Sequence, residues 1–148
     1  MSLFNIFNIS GSGMSAQTIR MNTTASNIAN AESVSSSTEQ TYRARHPVFA
    51  VERKSYGDEK FNFPAWGDEQ NTGAGVAVMG IVESNAPLVQ RYEPYHPEAD
   101  DQGYVNYPNV NVVEEMANMI SSSRSFQTNV DVLDTAKQMM QKVLSMGR

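Results

Sequence analysis

The last third of the chain, residues 111–146, constrains the fold most, because its apolar residues recur at alternating steps of three and four. That spacing keeps side chains on one side of an α-helix. The first such row consists of Met116, Met119, Ser123, Phe126, Val130, Leu133, Lys137, Met140 and Leu144, with Ser123 and Lys137 interrupting it. The pattern predicts one long helix, which at ~1.5 Å per residue would span about 50 Å.

Two further rows run along the same predicted helix. A second apolar row consists of Val132, Ala136, Met139, Val143 and Met146. A third row is polar throughout and consists of Gln127, Asp131, Asp134, Gln138, Gln141 and Ser145. The two apolar rows together form a surface too broad for a single partner stripe. We therefore predict that this helix is buried among several others, from copies of the same chain or from related chains.

Residues at both ends of this segment favour helix termini. Asn111 can cap the first turn, and Glu114, three residues later, completes a capping box. Glu114 and Glu115 also suit the positive end of the helix dipole. Gly147 is expected to follow the helix directly.

Composition excludes several classes of protein. The net charge of −5 and the pI near 4.9 argue against a surface that binds nucleic acid. Hydrophobic residues make up 40% of the chain, which fits a folded protein rather than a disordered one. There is no cysteine, and no apolar run approaches the roughly 20 residues of a membrane span. The first nine residues lack the basic start of a signal peptide.

The N-terminal segment predicts a second helix. Residues 1–9 form a short apolar leader, and the small residues 10–13 are expected to interrupt it. A helix is predicted from Met14 to about Asn30. Its apolar row recurs at steps of seven and consists of Phe7, Met14, Met21 and Ile28. Because Asn and Thr are weak helix formers, this helix needs a partner to be stable.

The middle of the chain predicts strands. They are expected at residues 41–52, 75–84, 88–92 and 103–107, with the second and third paired as an antiparallel hairpin. Residues 53–72 are expected to be an irregular excursion around Phe61, Phe63 and Trp66. The fold class is therefore α+β, with long terminal helices packed as a helical hairpin around a small antiparallel β-rich insert. We assign residues 1–33 and 108–148 to a helical domain and residues 34–107 to the insert domain.

A search for catalytic or metal-binding residues finds little. The segment from His96 to Asp101 gathers possible ligands, but its spacing matches neither a zinc site nor an EF-hand. No phosphate-binding loop, nucleophile elbow or metalloprotease motif occurs. We therefore expect a protein without catalytic residues, cofactor or metal.

Two segments resemble a known family. Thr24-Ala25-Ser26-Asn27-Ile28-Ala29-Asn30-Ala31 resembles a signature of the bacterial flagellar rod and hook proteins. Near the other end, residues 109–116 and Ser123-Arg124-Ser125-Phe126-Gln127 resemble the second conserved block of that family. The first residues, 1–7, and the short insert resemble the proximal-rod members of the flagellar basal-body rod protein family. About 80 residues carry the resemblance.

The resemblance implies a structural role. Members of the family are exported through the flagellar secretion channel without a cleaved signal and assemble helically in the periplasm into a drive shaft. The implied partners are copies of the chain, other proximal and distal rod proteins, the adaptor that joins the rod to the membrane ring, and the export apparatus. The residues that the resemblance assigns to subunit assembly are Asn27, Ile28, Asn30, Val112, Glu115, Arg124 and Phe126.

Two hypotheses concern side chains in the assembled rod. Helix packing is expected for Phe7, Met14, Met21, Met116, Val130, Leu133, Met140 and Leu144. The polar row, Gln127, Asp131, Asp134, Gln138, Gln141 and Ser145, is expected to face the central lumen or a polar seam between subunits. Two alternatives stay open: a non-flagellar helical-hairpin adaptor, and an extracytoplasmic carbohydrate-binding module that stacks sugars on Trp66 and tyrosines.

Overall fold

The computed structural model describes residues 3–52 and 75–147. The elements in chain order are α1 (Leu3–Ala29), β1 (Arg45–Glu52), β2 (Gly75–Glu83), β3 (Val89–Tyr92), β4 (Tyr104–Tyr107) and α2 (Val112–Met146). Two long terminal helices thus enclose short antiparallel strands, and the predicted α+β class is confirmed. The excursion predicted at 53–72, including Phe61, Phe63 and Trp66, lies outside the described residues.

Helix α2 begins where its capping residue predicts. The side chain of Asn111 accepts a hydrogen bond from the backbone N–H of Val113 at 3.1 Å, which satisfies one of the free donors of the first turn. At the other end the helix stops at Met146 and Gly147 follows it with φ −91°. The 35 residues of α2 continue without a break through the serines at 121–123.

Helix α1 is longer than the sequence predicts. It runs unbroken from Leu3 to Ala29 and includes the small residues 10–13, so the predicted interruption there is wrong. Helix propensity is a weak preference that tertiary contacts override. Here Ser10 is buried, and Gly13 lies where α2 approaches the helix closely. Gly13 therefore permits close packing of the two helices, and residues 10–13 do not break α1.

The insert consists of two separate two-stranded sheets. β1 pairs with β2 in the register Arg45↔Glu83 to Glu52↔Gly75, with a bulge between Val48 and Phe49. β3 pairs with β4 in the register Val89↔Tyr107 to Tyr92↔Tyr104. The predicted pairing of the 75–84 and 88–92 strands is therefore wrong. After Glu83 the chain leaves the first sheet, and residues 89–92 pair with β4 instead.

Helix α1 is the centre of the described fold. It packs against α2 and also against both strands of the hairpin β1–β2. Within residues 3–52 and 75–147, α2 packs against no strand, and β3–β4 packs against no other element. The buried apolar residues are small, apart from Val105: Ala16, Ala31, Ala44 and Ala136. The chain on its own therefore has no core of large side chains in its described part.

Candidate assembly surface

The contact between α1 and α2 is made by small and polar side chains. Asn129 of α2 lies so close to Gly13 that a Cβ on the glycine would be 3.1 Å from its Nδ2 atom. Farther along, Nη2 of Arg20 donates a hydrogen bond to Oδ1 of Asn118 at 3.0 Å. These pairs show that the two helices are antiparallel. The α2 side of the contact follows steps of four and three and consists of Glu115, Met119, Ser122, Phe126, Asn129, Leu133, Ala136 and Met140, all buried or half-buried.

The α2 side of this contact differs from the first apolar row of the sequence at every second position, where it lies one residue earlier. Four residues, Met119, Phe126, Leu133 and Met140, belong to both sets and are half-buried. The other contact positions include the buried Ser122 and Ala136, whereas their neighbours Ser123 and Lys137 are exposed. The two residues that interrupt the apolar row thus lie outside the contact with α1. Small side chains let two helix backbones approach closely, which explains why the chain places them there.

The other residues predicted for helix packing are less covered within one chain. Phe7, Met14 and Met21 of α1 are half-buried, as is Val130 of α2. Met116 is 54% exposed and Leu144 is 69% exposed. Large apolar side chains left exposed along α2 are Val112, Val113, Met116, Ile120, Val132, Met139, Val143, Leu144 and Met146. A single chain therefore leaves large apolar side chains exposed along the whole of α2.

The polar row lies on the side of α2 that faces away from α1. Asp131 is two residues from both Asn129 and Leu133, and Gln138 is two residues from both Ala136 and Met140. Two residues correspond to about 200° around a helix, so both side chains point roughly opposite to the helix contact. All members of the row are exposed: Gln127, Asp131, Asp134, Gln138, Gln141 and Ser145.

Asn27 joins α1 to the start of the hairpin. Its side chain is fully buried, and its Nδ2 donates to the carbonyl of Arg45 at 2.8 Å. Its Oδ1 accepts from the N–H of Arg45 at 2.9 Å and from the hydroxyl of Tyr42 at 2.8 Å. A single amide thus satisfies both backbone groups of Arg45, as a neighbouring strand would do. This motif residue positions the insert on the helix.

The other motif residues have different surroundings. Asn30 donates from Nδ2 to the carbonyl of Ser26 at 2.8 Å, within the end of α1. Ile28 is half-buried, while Val112 and Arg124 are exposed. Glu115 is buried, and among the described residues its Oε2 has no hydrogen-bond partner. The structure therefore collects Asn27 and Glu115 in the interior of the chain and leaves Val112 and Arg124 at its surface.

Two positioning residues were not singled out from the sequence. Asn109 accepts from the N–H of Ala44 at 2.8 Å and donates to the carbonyls of Ser84 and Ala86, at 3.4 and 3.0 Å. Asn109 thus ties the start of β1 and the end of β2, which lie side by side, to the chain just before α2. The sequence could have pointed to Asn109, because it is the first residue of the second segment that resembles the family.

Ser12 holds the opposite end of the hairpin. Its Oγ accepts a hydrogen bond from the N–H of Val76 at 3.1 Å, and it lies so close to Gly75 that a Cβ there would be 2.5 Å away. Nothing in the pattern of residues 10–13 indicated this contact, because it joins residues 64 positions apart. The hairpin is thus attached to α1 near both of its ends, by Asn27 and by Ser12.

The described residues contain neither a group of metal ligands nor a membrane-spanning helix. Among them, no three His, Asp or Glu side chains are grouped so that they could hold a metal ion. No helix in the described part is long and apolar enough to cross a membrane. The geometry instead combines a closely packed helix pair, a hairpin fixed to α1, and exposed apolar rows along α2.

The chain is similar to known flagellar proteins along its whole length. Residues 7–34 match the family model described as "Flagella basal body rod protein", and residues 101–146 match "Flagellar basal body rod FlgEFG protein C-terminal". It is 47% identical over 148 residues, the whole of both chains, to "Flagellar basal-body rod protein FlgC" of Salmonella typhimurium. A protein with the same description from Yersinia enterocolitica is 46% identical over 148 residues, the whole of both chains. Another from Borreliella burgdorferi is 33% identical over 98% of this chain and 97% of the relative.

Proposed function

Because the chain belongs to the flagellar basal-body rod protein family and is a structural subunit of that rod, we propose that it builds the proximal rod. In this proposal it assembles helically with copies of itself and with proximal and distal rod proteins into a hollow drive shaft. The shaft transmits torque and surrounds the export channel. Its other partners are the adaptor to the membrane ring and the export apparatus.

The observation that carries this proposal is the distribution of large apolar side chains. The contact between α1 and α2 buries mainly small and polar residues, while Met116, Ile120, Val143 and Met146 are exposed. Burying apolar surface contributes about 25 cal/mol per Å², so these side chains favour association with further helices. A finished helical-hairpin adaptor would bury such residues in its own core. The family assignment likewise disfavours a carbohydrate-binding module.

The proposed location follows from the family. We place the subunit in the periplasmic part of the basal body, exported without a cleaved signal peptide, with no catalytic activity. The helices form the inner tube and the β-rich insert, residues 34–107, lies outside it. The attachment of β1–β2 to α1 through Asn27 supports this arrangement, because it keeps α2 free of the insert.

The simplest test is deletion of the gene that encodes the chain. Basal bodies of the deletion strain are expected to stop at the membrane ring, and swimming is expected to be lost. Electron microscopy of isolated basal bodies checks this result, with the intact gene supplied on a plasmid as the control. Complete rods in the deletion strain would exclude the proposed role.

The polar row is proposed to line the lumen, where uncharged amides and few charges let unfolded chains pass without adhesion. Replacing Asp134 and Gln138 with leucine should leave the rod intact but slow passage of later subunits, because exported apolar segments would bind the wall. Hook length in isolated basal bodies measures this effect. An assembled rod with Asp134 and Gln138 turned toward the β domains would contradict the placement.

Phe126→Ala is expected to prevent rod formation and motility while still allowing export of the subunit. Phe126 is half-buried within one chain, and in the proposed rod it is buried fully, where truncating a large side chain costs roughly 2–5 kcal/mol in each copy. Motility in soft agar and the amount of subunit exported check the prediction. Thr128→Ala is a matched control, since Thr128 is exposed on the same helix. Normal swimming of Phe126→Ala would place Phe126 outside the assembly contacts.

A further inference from the structure

A groove of about 340 Å³ lies where the end of α1 meets the sheet β3–β4. Val34, Val89 and Val110 contribute apolar walls to it. Ser35 and Asn106 hold its two sides together, because the backbone N–H of each donates to the carbonyl of the other, at 3.3 and 3.2 Å. The groove is therefore a fixed part of the folded chain and is separate from the polar row of α2.

Two hydrogen-bond donors of this groove have no acceptor in the described part of the chain. The guanidinium of Arg91 lies over the ring of Tyr107, with Cζ 4.5 Å from the ring centroid, and forms no ion pair there. Nδ1 of His96 accepts a hydrogen bond from the N–H of Glu98 at 3.1 Å, so the neutral ring carries its proton on Nε2. A guanidinium and an imidazole N–H thus line one apolar groove without partners.

These groups match a carboxylate. A guanidinium presents parallel N–H donors to the two carboxylate oxygens, and charge assistance strengthens both hydrogen bonds. The net charge of −5 repels a polyanion, and the carboxylate of Glu32, which also lines the groove, disfavours an occupant with several acidic groups. The groove therefore suits a single carboxylate next to an apolar side chain.

We propose that the groove receives a segment of a neighbouring rod subunit in which one acidic residue adjoins an apolar one. The carboxylate binds Arg91 and His96, and the apolar side chain packs against Val34 and Val89. Because Arg91 is already stacked on Tyr107, its side chain loses little conformational freedom when the carboxylate binds. This inference deepens the proposed rod function, on which it rests, by giving the insert an outer contact that leaves the polar row uncovered.

Photo-cross-linking in the assembled rod tests the contact. Val89 is replaced by p-benzoylphenylalanine in a strain that lacks the native gene, and isolated basal bodies are irradiated. Val89 is 48% exposed at the wall of the groove, so the reactive side chain reaches the occupant. We expect an adduct with a neighbouring rod subunit, and mass spectrometry should find an Asp or Glu beside the cross-linked position.

The charge of Arg91 should control the yield of this adduct. Adding Arg91→Glu is expected to lower the yield about tenfold, because it opposes two negative charges. Arg91→Lys keeps the positive charge and should retain most of the yield. The same measurement separates a charged contact from a purely apolar one, whose yield would not follow the charge.

The matched control places p-benzoylphenylalanine at Tyr92. Tyr92 is 64% exposed and follows Arg91 on β3, so its side chain points to the other face of the sheet. Its adduct yield should not change with Arg91→Glu. The inference is overturned by a missing adduct at Val89, by an adduct with anything other than an acidic segment of a rod subunit, or by a yield that Arg91→Glu leaves unchanged or lowers equally at both positions.

A second position keeps the test decisive if the Val89 variant does not enter the rod. Val34 lies at another wall of the same groove and carries the photo-cross-linking residue instead, with the same outcomes for and against. Deletion of the gene tests the rod function separately. Rods that require the chain but give no adduct dependent on Arg91 would reject this contact alone.

Discussion

Asn27→Ala is expected to lower the free energy of unfolding by about 2–5 kcal/mol and to release the hairpin β1–β2 from α1. The buried amide makes three hydrogen bonds, to both backbone groups of Arg45 and to the hydroxyl of Tyr42. Alanine would leave these groups without partners in the interior, at about 1–3 kcal/mol for each one that water cannot reach. Chemical denaturation measures the loss, and hydrogen exchange at Arg45 reports the release.

The control for this prediction is Asn22→Ala. Asn22 lies on the same helix and is exposed, so its replacement should change stability by less than about 0.5 kcal/mol. Equal stabilities for the two variants would show that the Asn27 amide does not hold the insert. We also expect Asn27→Ala to abolish swimming. The total free energy of unfolding of a protein is only about 5–15 kcal/mol, so this loss would leave little stability for the folded subunit.

Gly13→Leu is expected to separate α1 from α2 and to destabilise the chain by about 1–3 kcal/mol. A Cβ at this position would already be 3.1 Å from Nδ2 of Asn129. That amide cannot easily move away, because it donates a hydrogen bond to the carbonyl of Ser125 at 3.0 Å. The clash outweighs the gain in helix propensity, which is about 1 kcal/mol. Thermal unfolding followed by circular dichroism measures the net effect.

Gly11→Leu is the matched control, since it places the same side chain two residues earlier in the same helix. A Cβ at Gly11 would meet nothing within 4 Å. This variant should be as stable as the native chain or more stable by up to about 1 kcal/mol. If Gly13→Leu were also neutral, the helices would not need the close approach that Gly13 permits.

Much of the architecture could be predicted from local patterns. The long C-terminal helix follows from its steps of three and four, and its start follows from Asn111, whose side chain caps the first turn. The α+β class follows from the order of helical and strand patterns. The resemblance carried by Asn27 and Arg124 identified the family, which relatives along the whole chain confirm.

Other features could not be predicted because distant residues decide them. Residues 10–13 favour a break in the helix, but α1 continues through them, and the approach of Asn129 makes a small residue necessary at Gly13. The strand at 75–83 pairs with β1 rather than with 89–92, since Asn109 binds the carbonyls of Ser84 and Ala86 and directs the connection away. In α2, steps of three and four fit both the row with Ser122 and Ala136 and the row with Ser123 and Lys137. The spacing alone therefore does not show which of the two rows contacts α1.

The sequence by itself determined that α2 has more apolar surface than one partner helix can cover, and that its polar row is continuous. Both follow from the helical period, which needs no knowledge of neighbours. Only the tertiary structure decided that α1 is the central element and that Ser122 and Ala136, rather than Ser123 and Lys137, face it. The physical reason is that close packing depends on the shape of both partners, so the small residues of α1 select the small residues of α2 and leave Met116, Val143 and Met146 exposed.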